Sequence, residues 1–360
     1  MRRRPLAGVL ALSVAAGVAL AAAPGAQGAT RTLTLEGWHD RVLAFSGRHL
    51  VWTEAATVRV DPARIAGSPA GARRFDYYRA ETSRVRLDRA SRRFSGAPEM
   101  PVAVRTSIAA MTAGTLAPTG DGGFVAAPGS RRLAPPVVWC CDDEGIEVVI
   151  ESDGRAAAPV TVAAGWTGSA VRFVQIDASG RQVLRLGDPA GAAVPPPVLS
   201  DPGAPELVAV AGADLRAWAD PAQRARLLVS GAPGGGAAAA VALPGPALRV
   251  WAAPGLVAVL SRAGSRLALT RVDVGGRPPR ARRAWTGGRR PAVAVGGGTL
   301  AIGDGRRVLV SRRGRLATRL VTTARRRVDA VGADGARLAW VERGRRKGLR
   351  VGIVRLARLG

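Results

Sequence analysis

One short phrase recurs seven times along this 360-residue chain: a small or turn residue, a large apolar residue, one or two intervening residues, mostly small, then another large one. In the first half it reads Gly47-Arg48-His49-Leu50-Val51-Trp52, Gly123-Phe124-Val125-Ala126 and Ser169-Ala170-Val171-Arg172-Phe173. It returns as Ala213-Asp214-Leu215-Arg216-Ala217-Trp218 and Pro254-Gly255-Leu256-Val257-Ala258-Val259. The last two copies are Gly298-Thr299-Leu300-Ala301-Ile302 and Gly335-Ala336-Arg337-Leu338-Ala339-Trp340. From Phe124 onward the anchors step by 47, 44, 41, 44 and 38 residues. Leu50 to Phe124 spans 74, which is one repeat carrying an insertion around residues 62–83 or a degenerate extra repeat.

Each phrase usually follows a short β-type run, such as Val208-Ala209-Val210, Val293-Ala294-Val295 or Asp329-Ala330-Val331. After a turn there is often an alternating run, such as Arg307-Val308-Leu309-Val310. Three or four short strands per period of about 40 residues, with Gly, Pro and Asp turns between them, is the signature of propeller blades. Helix-period patterns are nearly absent, and Pro221 to Leu228 is the one stretch read as a helical turn or two. A hydrophobic share of 47% excludes a disordered chain and supports a sizeable core. The expected fold is therefore all-β, a single β-propeller over residues 30–360. Seven blades match the seven phrases, with six or eight as alternatives. One blade cannot bury both faces alone, and a closed ring can. The end runs Thr32–Leu35 and Leu349–Leu356 predict that residues 31–36 complete the last blade beside 348–356.

Ala333-Asp334-Gly335-Ala336-Arg337-Leu338-Ala339-Trp340 resembles the repeat of secreted bacterial TolB-type β-propellers, roughly Pro-Asp-Gly-x-x-Leu/Ile-Ala-Phe/Trp. Ala333 replaces the proline, and the other repeats keep only the Leu-Ala-large core. The Gly-His and Trp-Asp signatures of WD40-like repeats are missing. The resemblance implies the fold and carries no functional residues across.

Residues 1–29 place Arg2-Arg3-Arg4 before an apolar run from Leu6 to Ala23, then the small-residue exit Pro24-Gly25-Ala26-Gln27-Gly28-Ala29. These are the three parts of a Sec-type secretory signal, cut after Gly28 or Ala29. The alternative is an uncleaved anchor, for which the Ala- and Gly-rich run is weakly hydrophobic. Nothing later approaches the apolar length of a transmembrane helix. The expectation is an extracytoplasmic protein, secreted or associated with the cell envelope, with no transmembrane span in the mature chain. It is expected to be a monomer.

The net charge is +27. Residues 30–202 hold 20 basic and 18 acidic residues, whereas residues 203–360 hold 30 and 8. Almost every cation is arginine, as GC-rich codons would give, but the charge is physical whatever its origin. Arg282, Arg283, Arg289, Arg290, Arg306, Arg307, Arg312, Arg313, Arg325, Arg326, Arg327, Arg345, Arg346 and Lys347 are read mostly as turn residues. If those turns share a face, the ring has a positive side for acidic glycans, anionic lipid heads, or nucleic acid bound without sequence specificity. The alternative is a set of solvated turns.

Other candidates each carry a plainer alternative. Cys140 and Cys141, the only cysteines, are adjacent and form a strained vicinal disulfide or stay as thiols. Asp142, Asp143 and Glu144 follow, with Glu147, Glu151 and Asp153 close behind. Clustered carboxylates suit calcium, yet no Asp-x-Asp-x-Asp-Gly loop is present. The plainer reading is a hairpin, Val137–Cys140 and Ile146–Glu151, with its acids in solvent. Phe75, Tyr77 and Tyr78 are read as an aromatic loop inside the long first interval, packing that insertion onto its blade or recognising a ligand. Trp52, Trp218 and Trp340 match one another in the repeat and are core candidates. Trp38, Trp139, Trp166 and Trp285 lie nearer loops, where burial competes with stacking on a sugar.

Two histidines, no Gly-x-Ser-x-Gly elbow and no phosphate loop leave no catalytic constellation and no cofactor site. The leading function is an exported, non-enzymatic propeller that binds a protein or an anionic cell-envelope polymer through a loop face. The alternatives are an enzyme acting on glycans or lactones with a metal at the channel mouth, and an envelope scaffold.

Overall fold

A computed structural model describes residues 33–36, 39–60, 75–88, 93–104, 115–118, 124–127, 137–140, 148–150, 160–166, 171–176, 182–187, 193–194, 207–212, 215–220, 222–230, 238–275, 278–315, 317–346 and 349–359. Among these residues there is no helix, and all the regular structure is antiparallel sheet. Strand β1 (Leu33–Glu36) belongs to the last sheet. The first sheet is β2 (His39–Ser46), β3 (His49–Val60), β4 (Phe75–Leu87) and β5 (Phe94–Val104). The second is β6 (Thr115–Pro118), β7 (Phe124–Ala127), β8 (Val137–Cys140) and β9 (Val148–Ile150). Next come β10 (Val160–Trp166), β11 (Val171–Ile176), β12 (Gln182–Gly187) and β13 (Ala193–Val194). The fourth holds β14 (Val208–Ala211), β15 (Leu215–Ala219), β16 (Arg226–Ser230) and β17 (Ala239–Ala242). The fifth holds β18 (Ala247–Ala253), β19 (Leu256–Ala263), β20 (Arg266–Asp273) and β21 (Arg280–Gly287). The sixth is β22 (Ala292–Gly296), β23 (Thr299–Asp304), β24 (Arg307–Arg312) and β25 (Arg319–Thr323). The last takes β26 (Val328–Asp334), β27 (Arg337–Arg346) and β28 (Leu349–Arg358), with β1 on its outer edge.

The first strands of successive sheets pack side by side in the order β2, β6, β10, β14, β18, β22, β26, and β26 packs against β2. The chain is a closed β-propeller. The recurring phrase is the second strand of each sheet, and the short β-type run before it is the innermost strand. A second strand is covered on both faces by neighbouring sheets, so it is apolar without alternation. Leu256 to Val259 and Leu300 to Ile302 are completely buried. The side chains alternate between two interfaces. Leu256, Ala258 and Leu260 pack with Leu300 and Ile302 of the next sheet, whereas Val257 and Val259 pack with Leu215, Ala217 and Leu227 of the one before.

Near the axis the innermost strands crowd each other. A Cβ at Gly332 would stand 2.9 Å from Leu43 Cβ, and one at Gly296 would collide with the Ala333 carbonyl. Small residues there are a packing requirement. Closure is made by β1, which pairs with β28 through Leu33↔Val354, Thr34↔Ile353, Leu35↔Gly352 and Glu36↔Val351. Leu33 is fully buried among Leu43, Phe45 and Trp52 of the first sheet and Ala339, Val341 and Val354 of the last.

Among the described residues of the long Leu50–Phe124 interval there is no extra sheet, and β3 and β4 pair continuously from His49↔Arg86 to Val60↔Phe75. Two expectations change. Phe75, Tyr77 and Tyr78 therefore lie on a strand, opposite Val60, Val58 and Thr57, and not in a loop. The described part of the Pro221–Leu228 stretch, residues 222–228, is not helical. Asp220 Oδ1 accepts the Ala222 N–H at 2.9 Å and the Gln223 N–H at 3.3 Å, so its side chain turns the chain into β16.

Leu33→Ala is expected to cost about 2–5 kcal/mol in urea unfolding, because it opens a cavity at the seam of the ring. Leu320→Ser, at a position 54% exposed on outer strand β25, is expected to change stability by less than about 0.5 kcal/mol.

Candidate functional site

Four antiparallel strands per sheet sort the turns between the two ends of the ring. Turns from first to second and third to fourth strand emerge at one end, here the hairpin end. Turns from second to third strand, and the links between sheets, emerge at the other, the connector end. The topology places Arg289-Arg290 (link β21–β22), Arg306-Arg307 (turn β23–β24) and Arg325-Arg326-Arg327 (link β25–β26) at the connector end. Arg345 and Arg346 close β27 and so lie at the connector end by the topology; Lys347 follows outside the described residues. Arg262 and Arg266 flank the β19–β20 turn at this end as well.

Backbone hydrogen bonds join the β23–β24 turn, the β25–β26 link and β27 into one ledge. Ala324 N–H donates to Arg306 O at 2.7 Å, Val328 N–H to Gly305 O at 2.7 Å, and Arg343 N–H to Arg327 O at 2.8 Å. Arg306 Nε adds a bond to Ala324 O at 3.0 Å. The neighbouring carboxylates are already engaged. Asp304 pairs with Arg307 and accepts Trp285 Nε1 at 3.1 Å. Asp329 holds Arg343 through both oxygens, at 3.0 and 2.9 Å. Glu342 accepts Trp340 Nε1 at 3.2 Å and lies 3.8 Å from Arg355 Nε. Asp220 binds Arg226. Among the described residues, Arg289, Arg290, Arg325, Arg326, Arg327 and Arg345 are exposed and have no carboxylate partner. Guanidinium groups remain charged at any physiological pH, so the ledge is constitutively positive.

The remaining candidates of the arginine set are elsewhere. Arg282 and Arg283 lie within strand β21, and Arg312-Arg313 close β24, all toward the hairpin end. Arg282 is structural: Nη2 donates to Arg312 O at 2.8 Å and to Ser311 Oγ at 3.3 Å. Burial, and then the Arg271 guanidinium, push Arg282 below its usual range, with Asp273 opposing. Beside it, Arg271 is completely buried. It binds both oxygens of Asp273, with Nε at 3.0 and 3.1 Å, and crosses to the next sheet, donating to Ser311 O at 2.6 Å and Gly298 O at 3.0 Å. Nothing in the sequence distinguished Arg271 from an outward strand arginine. Asp220 was not singled out in the sequence.

Cys140 ends β8, and β8 pairs with β9 through Val137↔Ile150, Val138↔Val149 and Trp139↔Val148, forming the expected hairpin. Cys141, Asp142, Asp143 and Glu144 lie outside the described residues, as does the proposed signal at 1–29. Among the described residues no cluster of three or more His, Cys, Asp or Glu could hold a metal. Among the described residues no helix is long and apolar enough to cross a membrane. Trp52, Trp218, Trp340 and Trp285 are all buried.

No family model matches the chain, and no curated protein matches it. Among solved structures it is similar to the β-propeller domain of Cps50 (Swd1) from Myceliophteria thermophila, at 14% identity and a TM-score of 0.49, covering 90% of this chain and 98% of that one. It is also similar to the PQQ-bound aldose sugar dehydrogenase of Streptomyces coelicolor, at 14% identity and a TM-score of 0.43, covering 71% and 97%. A third similarity, to a nidogen/laminin complex, has 14% identity and a TM-score of 0.37, covering 63% and 84%.

Arg271→Ala removes the buried guanidinium that pairs with Asp273 and donates to the Ser311 and Gly298 carbonyls, and is expected to lower stability by about 3–5 kcal/mol in urea unfolding. Burial alone would raise Asp220, but Arg226 and the two turn N–H groups hold its carboxyl below the usual range. Its stabilising effect is therefore present above the ordinary aspartate pKa and fades as pH falls through the lowered folded value. Asp220→Asn is expected to lose about 1 kcal/mol at pH 7, with the gap to wild type closing in acid.

Proposed function

We propose that the mature protein is exported and serves as a non-enzymatic binding module, holding an anionic cell-envelope polymer against its connector end. One observation carries this reading: arginines from several successive links and turns converge on one end, where the described carboxylates are already paired with other groups. A polymer with regularly spaced anionic groups can meet several of these guanidiniums at once and release the counterions they hold. Guanidinium forks match carboxylate, sulfate and phosphate oxygens bidentately. The mechanism is electrostatic capture by a rigid rim, with no bond made or broken.

Retention on immobilised heparin, a polyanion probe, tests it. The variant Arg289→Ser/Arg290→Ser/Arg325→Ser/Arg326→Ser/Arg327→Ser is expected to elute at markedly lower salt than wild type, with a shallower dependence of affinity on salt. The hairpin-end variant Arg283→Ser/Arg313→Ser is expected to elute near wild type. Equal losses from both variants, or retention that survives high salt, would contradict the reading.

A further inference from the structure

We propose that the anionic polymer held at the connector end is a polysaccharide of acidic sugars, and that it enters a gap between two hairpin arms, β3–β4 of the first sheet and β27–β28 of the last. This ligand class rests on the connector-end reading above and narrows it. Strands β3, β23 and β27 begin at matching positions, one residue before the repeated Leu50, Leu300 and Leu338. They differ in where they end, because β23 has 6 residues, β27 has 10 and β3 has 12. At roughly 3.3 Å per residue, the β27–β28 arm rises about 13 Å and the β3–β4 arm about 20 Å beyond the level of the β23–β24 turn. That turn carries Arg306 and Arg307, so both arms stand above the arginine ledge.

Packing below the arms settles which of their faces are turned to each other. Leu50, Trp52, Val85 and Leu87 of the first sheet pack with Ala339, Val341 and Val354 of the last. Both hairpins continue from these residues to their tips without a bulge, so strand alternation carries the same two faces outward. On the first arm that face takes Phe75 and Tyr77, paired with Val60 and Val58, and nearer the ring the pair Glu54↔Glu81. On the last arm it takes the pair Arg345↔Arg350. Counted from Leu50 and Leu338, the Val58↔Tyr77 and Arg345↔Arg350 pairs differ in height by about one residue. The register thus brings two aromatic residues, two carboxylate residues and two arginines to one gap between neighbouring arms. Each type answers one part of an acidic sugar. An aromatic ring takes the apolar face of a pyranose, a guanidinium fork takes its carboxylate, and a carboxylate accepts its hydroxyl protons. A polyphosphate offers charge alone, and Glu54 and Glu81 repel it. They repel the backbone of a nucleic acid in the same way, although its bases also stack on aromatic rings.

Calorimetric titration of the full mature protein with a galacturonate hexamer, a linear hexaphosphate and a thymidylate hexamer tests it. The galacturonate hexamer is expected to bind at least about tenfold tighter than either phosphate probe, although the hexaphosphate carries no less charge. Phe75→Ser/Tyr77→Ser is expected to weaken galacturonate binding at least about tenfold and hexaphosphate binding less than about twofold, with an unchanged melting temperature. Tyr77→Phe, which keeps the ring, is expected to stay within about twofold of wild type. Arg345→Gln, at an exposed position, is expected to weaken galacturonate binding at least about threefold. It decides the matter if the double variant proves unstable. Tighter binding of either phosphate probe, wild-type affinity in the Phe75/Tyr77 and Arg345 variants, or an equal loss of galacturonate and hexaphosphate in the double variant would overturn the proposal. Each of these results leaves heparin retention by the ledge standing. Failure of the wild-type protein to retain heparin overturns the connector-end reading, and this ligand class with it.

Discussion

From Leu256 to Leu260 the second strand of the fifth sheet is apolar on both faces, and burying both faces requires a neighbour on each side. Leu256, Ala258 and Leu260 look one way and Val257 and Val259 the other, so no sheet is complete by itself. A linear stack would leave two such faces in water; a ring leaves none. That single requirement explains the small residues of the innermost strands, where Gly296 and Gly332 allow backbones to approach more closely than any side chain permits. It also explains why the outer strand of the last sheet comes from the other terminus, tying the ends of the chain together through Leu33 and Val354.

Polar contacts reinforce the ring where sheets meet at the hairpin end. Arg271 donates to Gly298 O, Thr299 Oγ1 to Gly335 O at 2.8 Å, and Arg337 to Gly47 O. In each case a side chain of one sheet satisfies a turn carbonyl of the next. Arg337 does this across the closure itself, paired with Asp334 and lying 4.8 Å over the Phe45 ring. The arginines of the last three sheets thus divide by position. At the hairpin end several are consumed in joining sheets; at the connector end exposed ones accumulate without carboxylates. The same even count of strands that closes each sheet sends every inter-sheet link to that one end, which is how residues far apart in sequence come to share a charged surface.

Much of the fold was readable because its cause is local. The Leu-Ala-large phrase marks strands buried on both sides, the short Val-Ala runs mark the crowded axis, and Leu33-Thr34-Leu35 alternates as a closing edge strand does. Phe75, Tyr77 and Tyr78 were misplaced in a loop because their flanking Gly67-Ser68-Pro69 segment suggested irregular chain, whereas the partner run up to Val60 extends the hairpin to meet them. Pro221 to Leu228 mimicked a helical turn because an Asp side chain capping successive N–H groups is shared by helix starts and tight turns. Arg271 was illegible for a different reason. Its burial depends on Ser311 and Gly298 of another sheet, and no spacing within β20 reports on them.

Native-state hydrogen exchange at the two termini tests the closed ring most directly. If β1 is the outer strand of the last sheet, the hydrogen-bonded amides of Leu33–Glu36 exchange together with those of β28 and share its opening free energy. Rapid exchange across Leu33–Glu36 while β28 stays protected would mean that the N-terminal segment does not shut the circle, and the sorting of turns between two ends would lose its basis.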